Sequence, residues 1–121
     1  MTTPLRGEVW LVDLDPTRGR EQAGKRPALV ISTNGFNKSP ADLVVVVPIT
    51  SKDKSIPWHV PLQPPEGGTK TKSFIMCEAV RSVSHDRMVQ RWGTVSAATL
   101  DEVEDRSRHS FLVDGSHRRF L

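Results

Sequence analysis

The chain is predicted to be a small, mainly β domain, a curled sheet or barrel, with one α-helix at its C-terminal end. Three observations predict it. Short runs of β-branched and aromatic residues recur from Glu8 to Trp92, separated by turns rich in Gly, Pro, Asn and Asp. The periodicity turns helical after Ser96. The length, 121 residues, suits one domain with one modest core.

Taken in order, Glu8–Leu14 is dense in β-formers and partly alternating, and Asp15-Pro16-Thr17-Arg18-Gly19-Arg20 breaks it. Pro27–Ser32 reads as a second strand with its proline at the first position, where no ladder N–H is needed. Thr33-Asn34-Gly35 is a turn. Leu43–Ile49 is apolar on both faces and belongs at the centre of a sheet. Trp58–Leu62 carries Pro61 and is placed at an edge. After a turn at Glu66-Gly67-Gly68, Ser73–Val83 reads as one long strand and Met88–Trp92 as a short one. Ser96 can cap a helix, and Thr99 with Glu102 has capping-box spacing. Leu100, Val103 and Phe111 then fall near one face of a helix of about four turns. The whole chain, 1–121, is read as a single domain whose last residues, 115–121, fray.

Hydrophobic residues at 36% and charged residues at 26% exclude a disordered chain. A net charge of +3 favours a polyanionic partner without specifying one. The single cysteine, Cys77, excludes an internal disulfide and lies in an apolar run, as a buried residue would. The segment Met1–Leu14 has no signal-peptide pattern, and the longest apolar run, Leu43–Val47, is too short to span a bilayer. A cytoplasmic protein without membrane association is expected.

Most catalytic templates are absent. There is no Gly-rich phosphate loop followed by Lys-Ser/Thr, and His59, His85, His109 and His117 are scattered without zinc-ligand spacing. No acidic cluster suggests a magnesium site, so no metal or cofactor is expected. Chemistry on a phosphate would then rest on fixed cations and hydroxyls. The loop Gly19–Pro27 offers Arg26 at the mouth of a strand, and Pro48-Ile49-Thr50-Ser51 delivers two hydroxyls where an apolar strand emerges. Taken alone, these residues read more simply as an ion pair of Arg26 with Glu21 and a turn hydroxyl of Thr50 satisfying nearby backbone.

A longer pattern changes that balance. Gly7–Thr17 and Gly19–Ser32, followed by Val47-Pro48-Ile49-Thr50-Ser51, Glu78–Val83, Arg87-Met88 and Gly93-Thr94-Val95, together resemble the MazF/PemK toxins, the RNase halves of bacterial toxin–antitoxin pairs. The resemblance covers nearly the whole chain in order. It implies an SH3-like barrel with a C-terminal helix, working as a homodimer. It implies cleavage of single-stranded RNA at a short sequence, leaving 2′,3′-cyclic phosphate and 5′-hydroxyl ends, with arrest of translation and growth. It also implies neutralisation by an acidic, partly disordered MazE-like antitoxin that occupies the RNA groove. Arg26 and Thr50 match the family's catalytic arginine and threonine, and Glu21 an acidic loop residue linked to activity.

The chemistry is consistent with those residues. The ribose 2′-OH is itself the nucleophile, so no water needs activating, and a guanidinium with a hydroxyl can stabilise charge on the phosphoryl oxygens. The general base stays open between Glu21 and, outside the family pattern, His59, which reads more simply as structural. Candidate RNA-binding residues are Arg20, Lys25, Ser51, Lys52, Trp58 and Glu78, with Arg18, Lys54, Lys70 and Lys72 as further phosphate contacts. Trp58 and Phe36 are candidate stacking surfaces. Ala79 stands where relatives commonly carry glutamine, which would alter or loosen base preference. No function is assigned to the basic tail, Asp114–Leu121. Two alternatives share the fold class: a CcdB-like gyrase inhibitor, disfavoured by the Arg118-Arg119-Phe120-Leu121 ending, and a barrel that binds RNA or antitoxin without cutting.

Overall fold

A computed structural model of the protein describes residues 2–14 and 24–111, with side chains through 108. It contains seven strands, β1 (Glu8–Asp13), β2 (Lys25–Val30), β3 (Leu43–Thr50), β4 (His59–Leu62), β5 (Ser73–Met76), β6 (Arg81–Ser84) and β7 (Met88–Thr94). Two helices accompany them, α1 (Asn34–Asn37) and α2 (Ala97–Phe111). The sheet order is β4-β5-β3-β2-β1-β7, with β6 also on β3, and every pairing is antiparallel.

β3 organises the sheet because its run of apolar residues can be buried on both faces. One edge pairs with β2. The other pairs with β6 along Leu43–Val46 and with β5 at Ile49 and Thr50. The segment expected to be one strand, Ser73–Val83, is therefore two strands around a 3-10 turn at Cys77–Ala79. The turn contains neither Gly nor Pro, so nothing local announces it. It is imposed because β3 needs two partners lying in different directions as the sheet curls.

Alternate residues of β1–β3 enter two apolar clusters on opposite faces. Val9, Leu29, Val47 and Ile49 join Val60, Leu62, Ile75, Cys77 and, from α2, Val103. Trp10, Val12, Ala28, Val30, Val44 and Val46 join Val83 and Met88. Each fully buried aliphatic side chain here contributes on the order of 1.5–3 kcal/mol.

The sheet curls back on itself through the turn Glu66–Gly68, which packs against β7. Gly68 has φ +77°, and a Cβ there would stand 2.4 Å from the carbonyl oxygen of Trp92. A Cβ on Gly93 would meet the Gly68 nitrogen at 2.7 Å. Only backbone fits between these segments, which is how the β4–β5 end of the sheet reaches β7.

Several boundaries differ from the sequence reading. β2 begins at Lys25, so Pro27 is its third residue; it is tolerated because β3 joins β2 only from Ala28 onward. β4 is an edge strand, as Pro61 suggests, but starts at His59 and leaves Trp58 outside it. β7 runs on to Thr94. The Thr33-Asn34-Gly35 turn opens the single-turn helix α1, where Thr33 Oγ1 accepts the Phe36 N–H at 3.2 Å. Ser96 does cap α2, accepting the Thr99 N–H at 3.1 Å. The capping-box acid is not Glu102, which pairs with Arg106 at 2.5 Å. It is Glu66, from the turn against β7, whose Oε2 accepts the Ser96 N–H at 2.9 Å and the Thr99 hydroxyl at 2.8 Å. The anion also sits favourably at the positive end of the helix. Farther along α2, Arg106 donates to the carbonyls of Pro57 and His59, at 2.8 Å each, and Arg6 pairs with Glu104. The Phe111 side chain and the tail from 112 lie outside the described residues.

Candidate active site and RNA groove

A groove of about 790 Å³ opens where β1, β2, β3 and β7 face the Gly68–Ser73 segment. Two walls define it. One belongs to β2 and β3. Their ladder pairs Val30 with Val46, Leu29 with Val47 and Ala28 with Pro48. The β2–β3 ladder ends there: Arg26 pairs with Val12 of β1 and Thr50 with Phe74 of β5. Beyond the end of that ladder Arg26 and Thr50, 24 positions apart in sequence, both line the groove.

Thr50 is only 9% exposed. Its Oγ1 accepts the Lys52 N–H at 3.1 Å. The turn-hydroxyl reading of Thr50 therefore holds, and it serves the chemical one. With a lone pair occupied by backbone, the hydroxyl keeps its own proton for an acceptor in the groove. Arg26 is half-buried, and among the described residues nothing pairs with its guanidinium. Lys25, Arg26, Lys52, Lys70 and Arg91 line the groove with no carboxylate among the described lining residues, which creates a positive field along a channel.

The second wall is β7 with the turn packed on it. The β1–β7 register shifts twice, between Val9 and Trp10 and between Leu11 and Val12. Gln90 pairs with Leu11 and Arg91 with Trp10, so Val89 and Trp92 are the unpaired residues on either side of them. Arg91 is anchored: its Nε donates to Glu8 Oε2 at 2.9 Å. Glu8 Oε1 accepts from the Leu5 N–H at 2.9 Å and from Trp10 Nε1 at 2.8 Å. Burial pushes the Glu8 carboxyl up, but these hydrogen bonds and the Arg91 charge outweigh it and hold the group below its ordinary value.

The groove brings together Arg26, Thr50, Lys25, Ser51 and Lys52, with Lys70. Glu21, Arg20 and Arg18 lie outside the described residues. Two other predicted contacts sit elsewhere. Glu78 is bound to the buried His59, Oε2 to Nε2 at 3.0 Å, which makes His59 a structural partner. Trp58 stands 37% exposed beside Pro57, Asp105 and Arg106, on the α2 side. Phe36, Lys54 and Lys72 do not line the groove, and Lys72 instead lies over the Phe74 ring at 5.7 Å. Cys77 is buried, and desolvation pushes its thiol up to about 11. Sequence reading missed Leu11, Gln90, Arg91 and Trp92. The only signal for them was that β7, read as a short strand, had to pair with something.

A family described as PemK-like, MazF-like toxin of type II toxin–antitoxin system matches residues 5–111. Endoribonuclease MazF9 of Mycobacterium tuberculosis is 37% identical over 105 residues, covering 83% of this chain and 89% of that protein. Endoribonuclease EndoA of Bacillus subtilis is 30% identical, covering 90% and 96%. Among solved structures, MazF from Deinococcus radiodurans superposes with a TM-score of 0.75 at 28% identity, covering 89% and 96%. A MazE–MazF structure from the same organism gives 0.76 at 28% identity, covering 89% and 95%. The mainly β architecture with its C-terminal helix is the small barrel of these toxins. Among the described residues no helix is long and apolar enough to cross a membrane.

Proposed function

This chain belongs to the PemK-like, MazF-like toxins of type II toxin–antitoxin systems, and from that premise we propose that it is an endoribonuclease toxin whose reaction centre is Arg26 with Thr50. The observation that supports the site is that Arg26 and Thr50 line one groove together with the cations Lys25, Lys52, Lys70 and Arg91.

The reaction follows from that pair. The ribose 2′-oxygen attacks the adjacent phosphorus, the bond to the 5′-oxygen breaks, and the products are a 2′,3′-cyclic phosphate and a 5′-hydroxyl. Negative charge grows on the non-bridging oxygens. Arg26 can hold two of its hydrogen bonds on them and the Thr50 hydroxyl a third. A guanidinium always carries its proton, so Arg26 stabilises charge and is no general base. Glu21 is the candidate to accept the 2′ proton, and water in the open groove supplies the proton that the leaving 5′-oxygen takes up. The nucleophile belongs to the substrate, so DNA, lacking it, is not cut, and no metal-activated water is required. Lys25, Lys52 and Lys70 contact flanking phosphates of an unpaired strand. The same cations fit an acidic MazE-like antitoxin peptide, which neutralises the toxin by filling the groove. The working form is a homodimer in the cytoplasm.

The test is incubation of the purified protein with a long unstructured RNA in EDTA, beside the Arg26→Ala variant. Cyclic-phosphate ends from the unaltered protein, with a rate lower by roughly 100- to 1000-fold in the variant, are expected. Intact RNA from folded, antitoxin-free protein would overturn the nuclease reading in favour of a binding-only barrel or a gyrase inhibitor.

A further inference from the structure

The cations and hydroxyls of the groove can bind any RNA, because they address phosphate and sugar. Reading adenine's edge needs a group that carries a donor and an acceptor in fixed relation. Among the described lining residues only Gln90 has a side-chain amide. It is exposed, and no described residue hydrogen-bonds its side chain. Its backbone is well fixed. Gln90 pairs with Leu11, its neighbour Arg91 is anchored on the buried Glu8 carboxylate, and a register shift lies on either side. Such shifts next to a site re-aim a side chain. One of them frees Trp92, which packs partly on the barrel core and also lines the groove, giving an aromatic wall beside the amide.

We propose that Gln90 and Trp92 form a nucleobase-reading subsite, with Trp92 packing against an unpaired base and the Gln90 amide reading its edge. Adenine is the match, since its N6 donor and N7 acceptor complement an amide's oxygen and nitrogen along one edge. This assignment rests on the nuclease reading of the groove. It places sequence choice on β7 and chemistry on β2–β3, in separate side chains.

The test maps the 5′-hydroxyl ends released from a random-sequence RNA pool by the unaltered protein, Gln90→Ala and Gln90→Glu. Each variant is first shown to melt at the temperature of the unaltered protein. The expected result is loss of adenine preference at one position near the cut, by roughly 5- to 100-fold, with preferences elsewhere intact. Relaxation at a position that prefers another base would keep the subsite and overturn the adenine assignment. Superimposable preferences in all three proteins, or a uniform fall in rate at every site, would overturn the subsite. Absence of cleavage by the unaltered protein would instead remove the nuclease reading beneath it.

Discussion

The two walls of the groove are built by different means. On the β2–β3 wall, Arg26 and Thr50 stand just beyond the end of a regular ladder, and the longer sequence pattern singles them out. On the β7 wall the register is broken twice, and Gln90, Arg91 and Trp92 are placed by bulges, a buried carboxylate and a backbone-only contact with Gly68. A regular ladder holds the strands beneath the groove in one register. A bulged strand suits recognition, because a one-residue shift changes which side chain faces the groove.

The contrast can be tested by breaking each wall in turn. Thr50→Val is expected to have the largest effect, a fall in single-turnover cleavage rate on the order of 100-fold, with cleavage preference unchanged. Changed preference would show that the two walls are not separable. Gly68→Ala comes next. The positive φ and the missing space against Trp92 should cost on the order of 3 kcal/mol in denaturant unfolding. An unchanged midpoint would mean the contact between turn and strand yields easily.

Glu8→Gln should destabilise the protein by about 1–2 kcal/mol at neutral pH. Because the folded carboxyl is held below its ordinary value of 4.5, its contribution is complete above that pH and is lost as pH falls through the lower folded value. The stability curves of the two proteins should therefore converge in acid, and a constant gap would contradict this account. The smallest effect is at Cys77. With its thiol raised to about 11, alkylation by iodoacetamide at pH 8 should be slow in the folded protein and fast after unfolding. Rapid labelling of the native state would show that the core beneath α2 opens readily.

Much of the β2–β3 wall was legible in the sequence, because the β2 and β3 runs and the Arg26-Pro27 and Thr50-Ser51 motifs are contiguous. The β7 wall was not. Val89 and Trp92 look like ordinary strand residues, and only the pairing with β1 reveals them as bulges. The positions of Trp58 and Glu78 were hidden for a related reason: only the fold puts one beside α2 and the other on His59. The break inside Ser73–Val83 was equally hidden, since it answers the geometry of β3 and no local residue.

Glu66 ties two distant parts of the chain to one outcome. A single carboxylate oxygen receives the first turn of α2 while its own turn, through Gly68, seals the β7 side of the groove. Fraying at the start of the helix is then coupled to loosening of the groove rim through the Glu66 carboxylate. The Ser96 amide should exchange its hydrogen on the timescale at which the groove breathes, and a ligand that fills the groove should slow that exchange although it never touches the helix.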